Sequence, residues 1–384
     1  MQAQVYDIVS RGKSMQFGIA AADDFELVEK GFIDTQAILD DPNILLYCLE
    51  PQNRQAIFIE VPNVAKVRAA PFYFQAQFEQ AVRVLKVSYE TLEQLADQVT
   101  LDDRRMILIY SMGRSGTTVT SAAFRQVEDV VSLSEPDVFT QLVQMHDFSG
   151  LNDAEISALI RVCMLLTCKD QGNGDQPIWV LKFRSFVIDL AHMIDTHFPG
   201  ATSLFLYRQA VTWGASNARA FGGTTSPTQK QLTDIWAFLN PLVPRINRYR
   251  LDDPAEINFG KIFGLMWLDY MECCLARLDA GQAILPVRYE DLRANPEAVV
   301  NEIFEYCGIS GINKNKLDAV LEADSQANTP IARERLKQIG RELNIDDVTI
   351  AQHIITAHPI INTPAYQLPG TLFLEKVPAS ALSG

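Results

Sequence analysis

A chain of 384 residues, 48% hydrophobic and 21% charged, can bury a sizeable core in one large domain or two. Its 33 basic and 47 acidic side chains give a formal charge of −14, which repels nucleic acid and anionic membrane. An anionic ligand would therefore need a local pocket built from specific arginines.

The six cysteines have neither zinc spacing nor a dense disulfide pattern, and the five histidines are scattered. Buried thiols in a reducing cytoplasm and no metal site are the expectations. The start, Met1 to Asp7, lacks the apolar core of a signal peptide, and no run nears the ~18 apolar residues of a bilayer span. A cytoplasmic location is expected on those grounds.

Residues 1–100 read as an extension of unknown role. Ile44–Leu49 and Ala56–Val61 are strand-like runs around Glu50–Gln55, a hairpin signal. Phe74, Phe78, Ala81, Val82, Leu85, Val87, Leu92 and Leu95 then suggest one or two amphipathic helices. A cap or a dimerisation surface is the most this region supports.

From about residue 104, short apolar runs alternate with segments of helical length. The runs are Met106–Tyr110, Val130–Leu133, Ile178–Leu181, Ser203–Tyr207 and Ala283–Val287. Between them lie Asp153–Thr167, Ser185–His197 and Phe259–Leu278. This alternation predicts an α/β fold: a P-loop-like three-layer arrangement with a central parallel sheet flanked by helices. The expected division is 1–100, 101–345 and a tail, 346–384, packing on or extending the core. Gly222–Thr228 is the clearest candidate for a mobile loop.

Ligands of such sheets bind beyond the carboxyl ends of the strands. After the first run comes Ser111-Met112-Gly113-Arg114-Ser115-Gly116-Thr117-Thr118, then the helix-compatible Val119–Gln126. Strand, glycine turn and helix form a phosphate cradle, in which turn amides and the helix dipole converge on an anion. Arg114 adds a forked donor, and the hydroxyls of Ser115, Thr117 and Thr118 add more. The triphosphatase pattern G-x-x-x-x-G-K-[ST] is not met, since Thr117 follows Gly116 where lysine is required. A metal-dependent phosphoryl transferase is disfavoured accordingly. The other runs end in Ser134 and Glu135, in Lys182 and Arg184, in Arg208, and in Arg288-Tyr289-Glu290-Asp291.

These segments, in this order, resemble sulfotransferases that use 3′-phosphoadenosine 5′-phosphosulfate (PAPS). Gly113-Arg114-Ser115-Gly116-Thr117-Thr118 is similar to the family's 5′-phosphosulfate loop. Arginine at position 114 resembles tyrosylprotein and several bacterial and Golgi members rather than cytosolic ones, which usually have lysine. Arg208 and Ser216 look like the 3′-phosphate pair, although family members usually carry proline and an acid where Gln209–Thr212 stand. Arg288-Tyr289-Glu290-Asp291-Leu292, with Asn295-Pro296-Glu297 and Phe304–Ile309, is similar to the segment that ends the family's core. Its tyrosine, Tyr289 here, lies near the adenine. The resemblance covers roughly residues 104–310.

It implies sulfuryl transfer from PAPS to a hydroxyl or amine of a small-molecule acceptor, leaving 3′-phosphoadenosine 5′-phosphate (PAP), without a metal. Glu135, 21 residues after Arg114, matches the general-base glutamate of tyrosylprotein-type members. Lys182 and Arg184 would either stabilise developing charge or bind the acceptor, with Lys182 the better placed, or simply solvate a strand end. Glu290 and Asp291 look structural in the family. Arg333, with Arg335, is the candidate for a C-terminal basic loop over the 3′-phosphate. Trp213, Phe221, Trp236 and Phe238 either line an acceptor pocket or pack in the core. Two rivals stay open: a variant P-loop kinase using ATP, and a protein that binds PAPS or PAP without catalysis. Nothing in the sequence fixes the oligomeric state.

Overall fold

The computed structural model describes residues 1–14, 18–169, 176–221, 227–248, 256–310, 314–323 and 344–373. Its strands form two five-stranded sheets. The first is antiparallel, in the order β2-β1-β5-β4-β3, from β1 (Gln2–Arg11), β2 (Phe25–Asp34), β3 (Ile44–Glu50), β4 (Gln55–Glu60) and β5 (Arg83–Ser88). The second is parallel, in the order β10-β9-β6-β8-β7, from β6 (Met106–Ser111), β7 (Val130–Ser134), β8 (Ile178–Lys182), β9 (Thr202–Tyr207) and β10 (Ile284–Arg288).

All five expected parallel strands form, and helices cover both faces. β6 lies at the centre and is buried throughout. Alternation along it sorts the core: Ile107 and Ile109 join Phe124, Val300 and Phe304 on one face, while Leu108 and Tyr110 join Phe139, Phe205 and Tyr207 on the other. The strand order switches sides at β6, so the crevice beyond its carboxyl end is where a ligand fits.

In the antiparallel sheet the expected hairpin forms as β3–β4, closed by Glu50 opposite Gln55 with Arg54 left-handed at φ 51°. The expected helical stretch from Phe74 to Leu95 is only partly helical. Helices Tyr73–Gln80 and Tyr89–Ala96 flank β5, whose Val84 and Leu85 pair with Ile59 and Phe58. Helical spacing lost to cross-strand burial, because both neighbours of β5 present apolar partners.

The two sheets share one continuous buried core. The Gln141 amide accepts from Leu49 N at 2.7 Å and donates to Leu49 O at 2.6 Å, substituting for a strand at the β3 edge. Lys169 donates to the carbonyls of Ile38 and Asp41. On the other flank, helix Ile345–Thr356 packs on helix Phe259–Asp279 at Gly260 and Gly264. A Cβ at Gly260 would lie 2.5 Å from Asp347 O, and one at Gly264 3.2 Å from Ala351 Cα. The chain then runs along the open side of β10, where Leu372 N donates to Pro286 O at 2.9 Å. Among the described residues no helix is long and apolar enough to cross a membrane.

Candidate active site

The loop after β6 turns on three left-handed residues, Gly113 (φ 69°), Arg114 (φ 52°) and Gly116 (φ 90°). Arginine in that region costs of order 1–3 kcal/mol, so the surroundings must hold it there. They do so from below. Met112 N donates to Leu206 O at 3.3 Å, the Ser115 hydroxyl donates to the same carbonyl at 2.9 Å, and Gly113 N donates to Ser111 Oγ at 3.2 Å. The Trp213 indole N–H is shared between Met112 O (2.9 Å) and Gly113 O (3.0 Å). The Ser115 hydroxyl thus points into the protein, and only its amide remains for a ligand.

Gly116 caps helix Thr117–Phe124, whose first amides have no intrahelical acceptors. A Cβ at Gly116 would meet Leu292 Cδ2 at 2.5 Å, so the loop rests directly on the segment that follows β10. Thr117 and Thr118 are buried and line the cavity beside Gly113 and Arg114.

Arg114 connects two sites. Its Nε donates to Ser216 Oγ at 3.2 Å, and its carbonyl accepts from Arg208 Nη1 at 3.2 Å. The Arg208 guanidinium lies 4.3 Å from the centre of the Tyr289 ring. Burial pushes its pKa below the usual arginine value, Tyr289 and Glu290 oppose the shift, and Arg219 and Arg293 add to it. Arg219 and Arg293 thus add positive potential at Arg208 in a strongly acidic protein, a field that favours an anion. Arg219 and Arg293 escaped the sequence reading. Their signal was present, since Arg219 lies one helical turn beyond Ser216 and Arg293 one turn beyond Tyr289. Glu290 accepts from Gln209 N and Thr212 Oγ1, each at 3.2 Å, and Asp291 takes a two-pronged pair from Arg288 at 2.8 Å. Both acids brace the scaffold.

Glu135 is left-handed at φ 67°, and its amide donates to Lys182 O at 2.6 Å. Its carboxylate is ion-paired with Lys182, whose side chain is almost fully buried. The residues around Glu135 are gripped by the antiparallel unit: the Ser134 hydroxyl donates to Pro71 O at 2.7 Å, and Asp137 accepts from Ala20 N at 2.7 Å. Asp137 also takes Arg184 Nη1 at 2.9 Å, while the Arg184 guanidinium lies 4.7 Å from the Phe74 ring centre. Burial alone would lower the Arg184 pKa, but Asp137 and Glu135 outweigh it and raise the value, so Arg184 stays charged.

A cavity of about 520 Å³ opens beyond these strand ends, within the usual size of a small-ligand site. Gly113, Arg114, Thr117, Thr118, Glu135, Lys182 and Arg184 line it; Ser115, Gly116, Arg208, Ser216 and Tyr289 do not. Trp213, Phe221 and Phe238 are on its wall, and Trp236 is not. Phe72 of the antiparallel unit also lines it, a contribution no motif signalled. Arg333 and Arg335 lie outside the described residues, as does most of Gly222–Thr228.

Among the described residues, two groups bring possible metal ligands within 4.8 Å of one another, His146/Asp147/Asp153 and Asp189/Asp269/Cys273. Each is bonded internally, His146 Nε2 to Asp153 Oδ1 at 2.7 Å and Cys273 Sγ to Asp189 Oδ1 at 3.2 Å, and neither lines the cavity.

No model of a known family matches the chain. No curated protein matches it either. Solved structures do. A sulfotransferase from Mycobacterium tuberculosis H37Rv is 14% identical, with a TM-score of 0.35 over 60% of this chain and 76% of that one. The sulfotransferase domain of the Synechococcus PCC 7002 olefin synthase is 16% identical, with a TM-score of 0.32 over 69% and 95%. The sulfotransferase domain of the curacin biosynthetic pathway is 14% identical, with a TM-score of 0.38 over 69% and 98%. At these values the likeness does not reach donor, acceptor or residue roles. These solved proteins, to which this chain is similar, are sulfotransferases.

Proposed function

We propose that the protein is a sulfotransferase that moves a sulfuryl group from PAPS to a small-molecule acceptor. The observation that carries this reading is the position of Arg114. It lines the cavity on one side and bonds Ser216 and Arg208 on the other, which supports reading it as the link between two proposed anion sites. A donor with a 5′-phosphosulfate and a 3′-phosphate requires two such sites.

The fit follows residue by residue. The amides of Ser115 to Thr118 with Arg114 would hold the 5′ end, and Arg208 with Arg219, Arg293 and Ser216 the 3′-phosphate. Tyr289, already against Arg208, would face the adenine. When bound, PAPS supplies an activated sulfuryl group with a phosphate leaving group. Glu135 takes the proton of the acceptor hydroxyl as its oxygen bonds to sulfur and the sulfur–bridging-oxygen bond breaks; the electron pair of that bond leaves with PAP. Lys182 holds the Glu135 carboxylate in place and has further N–H donors for the group in transfer. Arg114 and the loop amides collect the charge that grows on the leaving phosphate.

The test is thermal unfolding with PAP and, separately, with ATP and magnesium, for the wild type and Arg208→Ala. A ligand at 100 times its dissociation constant adds about 2.7 kcal/mol. Stabilisation by PAP that Arg208→Ala abolishes is the expected result. Stabilisation by ATP and magnesium alone overturns the proposal in favour of a kinase. PAP binding with unchanged function in Glu135→Gln favours a non-catalytic binder.

A further inference from the structure

The cavity is divided in its chemistry. Its charged side chains, Arg114, Glu135, Lys182 and Arg184, all stand at or just beyond the ends of β6, β7 and β8. The helices Ala210–Phe221, Gln229–Leu239 and Phe259–Asp279 contribute apolar side chains and one amide, Asn217, which already donates to Trp213 O at 3.0 Å. Phe72 joins this apolar wall from the antiparallel unit. Among the described residues no charged side chain reaches the cavity from the helices.

We infer that the acceptor is an uncharged, largely apolar alcohol or phenol, with its hydroxyl at Glu135 and its body against Phe72, Phe186, Phe238 and Phe263. The inference rests on the sulfotransferase reading and deepens it. A carboxylate on the body would lose its hydration against hydrocarbon and find no cation there. A sugar would bring several hydroxyls to helices that offer a single amide, one of whose N–H groups is already used. An ammonium at the reacting end would meet Arg114, Lys182 and Arg184, whereas a neutral hydroxyl meets a single carboxylate acceptor. Phe72 sets selectivity although it belongs to the other sheet's unit.

The experiment titrates 4-phenylphenol, 4′-hydroxybiphenyl-4-carboxylate and glucose into the full chain saturated with PAP, and then assays each for transfer from PAPS. The wild type is expected to bind the phenol at least 100-fold more tightly than the carboxylate or glucose. Phe72→Ala is expected to weaken the phenol about 10-fold while leaving PAP affinity unchanged, which certifies the fold. Phe238 is only half-buried, and Phe238→Lys is expected to tighten the carboxylate at least 10-fold. Equal or tighter binding of glucose or the carboxylate by the wild type overturns the inference, as do variants that move none of the affinities. Transfer to glucose but not to the phenol overturns it and leaves the sulfotransferase reading intact. Phenol binding with the expected variant effects but no transfer from PAPS keeps the ligand class and overturns sulfuryl transfer.

Discussion

The two sheets contribute to one cavity in different ways. The parallel sheet delivers charge, because each of its strands ends on a charged side chain or reaches one within three residues. The antiparallel sheet delivers restraint: a carbonyl at Pro71, an amide at Ala20 and the rings of Phe72 and Phe74. Reactive groups occupy one unit and much of what fixes their geometry occupies the other. A site of this kind is lost by cutting either half.

Variants along the seam break or sharpen that contrast. The largest effect is expected from Glu135→Gln, which removes the proposed proton acceptor and should lower the transfer rate by about 10²–10⁴-fold. PAP affinity measured by calorimetry should be unchanged; a rate within a few-fold of wild type would remove Glu135 from the chemistry. Asp137→Ala separates the units, since it deletes the partner of Ala20 N and an ionic partner of Arg184. Denaturant unfolding should show up to about 3 kcal/mol of lost stability. Two resolved transitions would sharpen the contrast further by showing that the halves melt separately.

Trp213→Phe keeps the apolar wall but removes the N–H shared by the Met112 and Gly113 carbonyls. About 1 kcal/mol of loop stabilisation should go, read as PAP affinity lowered up to about 10-fold. No change in PAP affinity would mean that the other loop bonds suffice.

The smallest effect concerns Lys169, which burial holds at about 8, below the usual lysine value. The unfolded chain binds this proton more tightly, so the cost to folding is complete below pH 8 and fades as pH rises toward 10.5. The stability gap between wild type and Lys169→Met should therefore shift in favour of wild type by about 1 kcal/mol from pH 7 to pH 9. Comparing the two proteins cancels the thiols and phenols that also titrate there. A gap independent of pH would show that Lys169 is not held depressed.

The contrast also explains what could be read in advance. Apolar runs buried on both faces gave away all five parallel strands, and chemistry at their ends marked Arg114, Glu135, Lys182 and Arg208. β1 and β2 escaped notice because much of each strand is exposed, which leaves polar residues throughout. β5 was taken for helix because its apolar spacing fits both periods and only its neighbours decide. Phe72, Pro71 and Ala20 act through a ring, a carbonyl and an amide, and none of these makes a motif. Asp137 looked ordinary because its two partners, at Ala20 and Arg184, are brought to it only by folding.

Helix Phe259–Asp279 presents Phe259, Ile262, Phe263 and Met266 to the cavity, while Gly260 and Gly264 on an adjoining flank let helix Ile345–Thr356 approach backbone to backbone. That contact is made largely by backbone atoms of Asp347 and Ala351, with only the Cβ atoms of Ile350 and Ile354 beside them. The seat of this cavity wall thus depends on two missing methyl groups on its outer flank. Adding one at Gly260 would force the two helices apart, so a residue outside the cavity can bear on the wall that lines it.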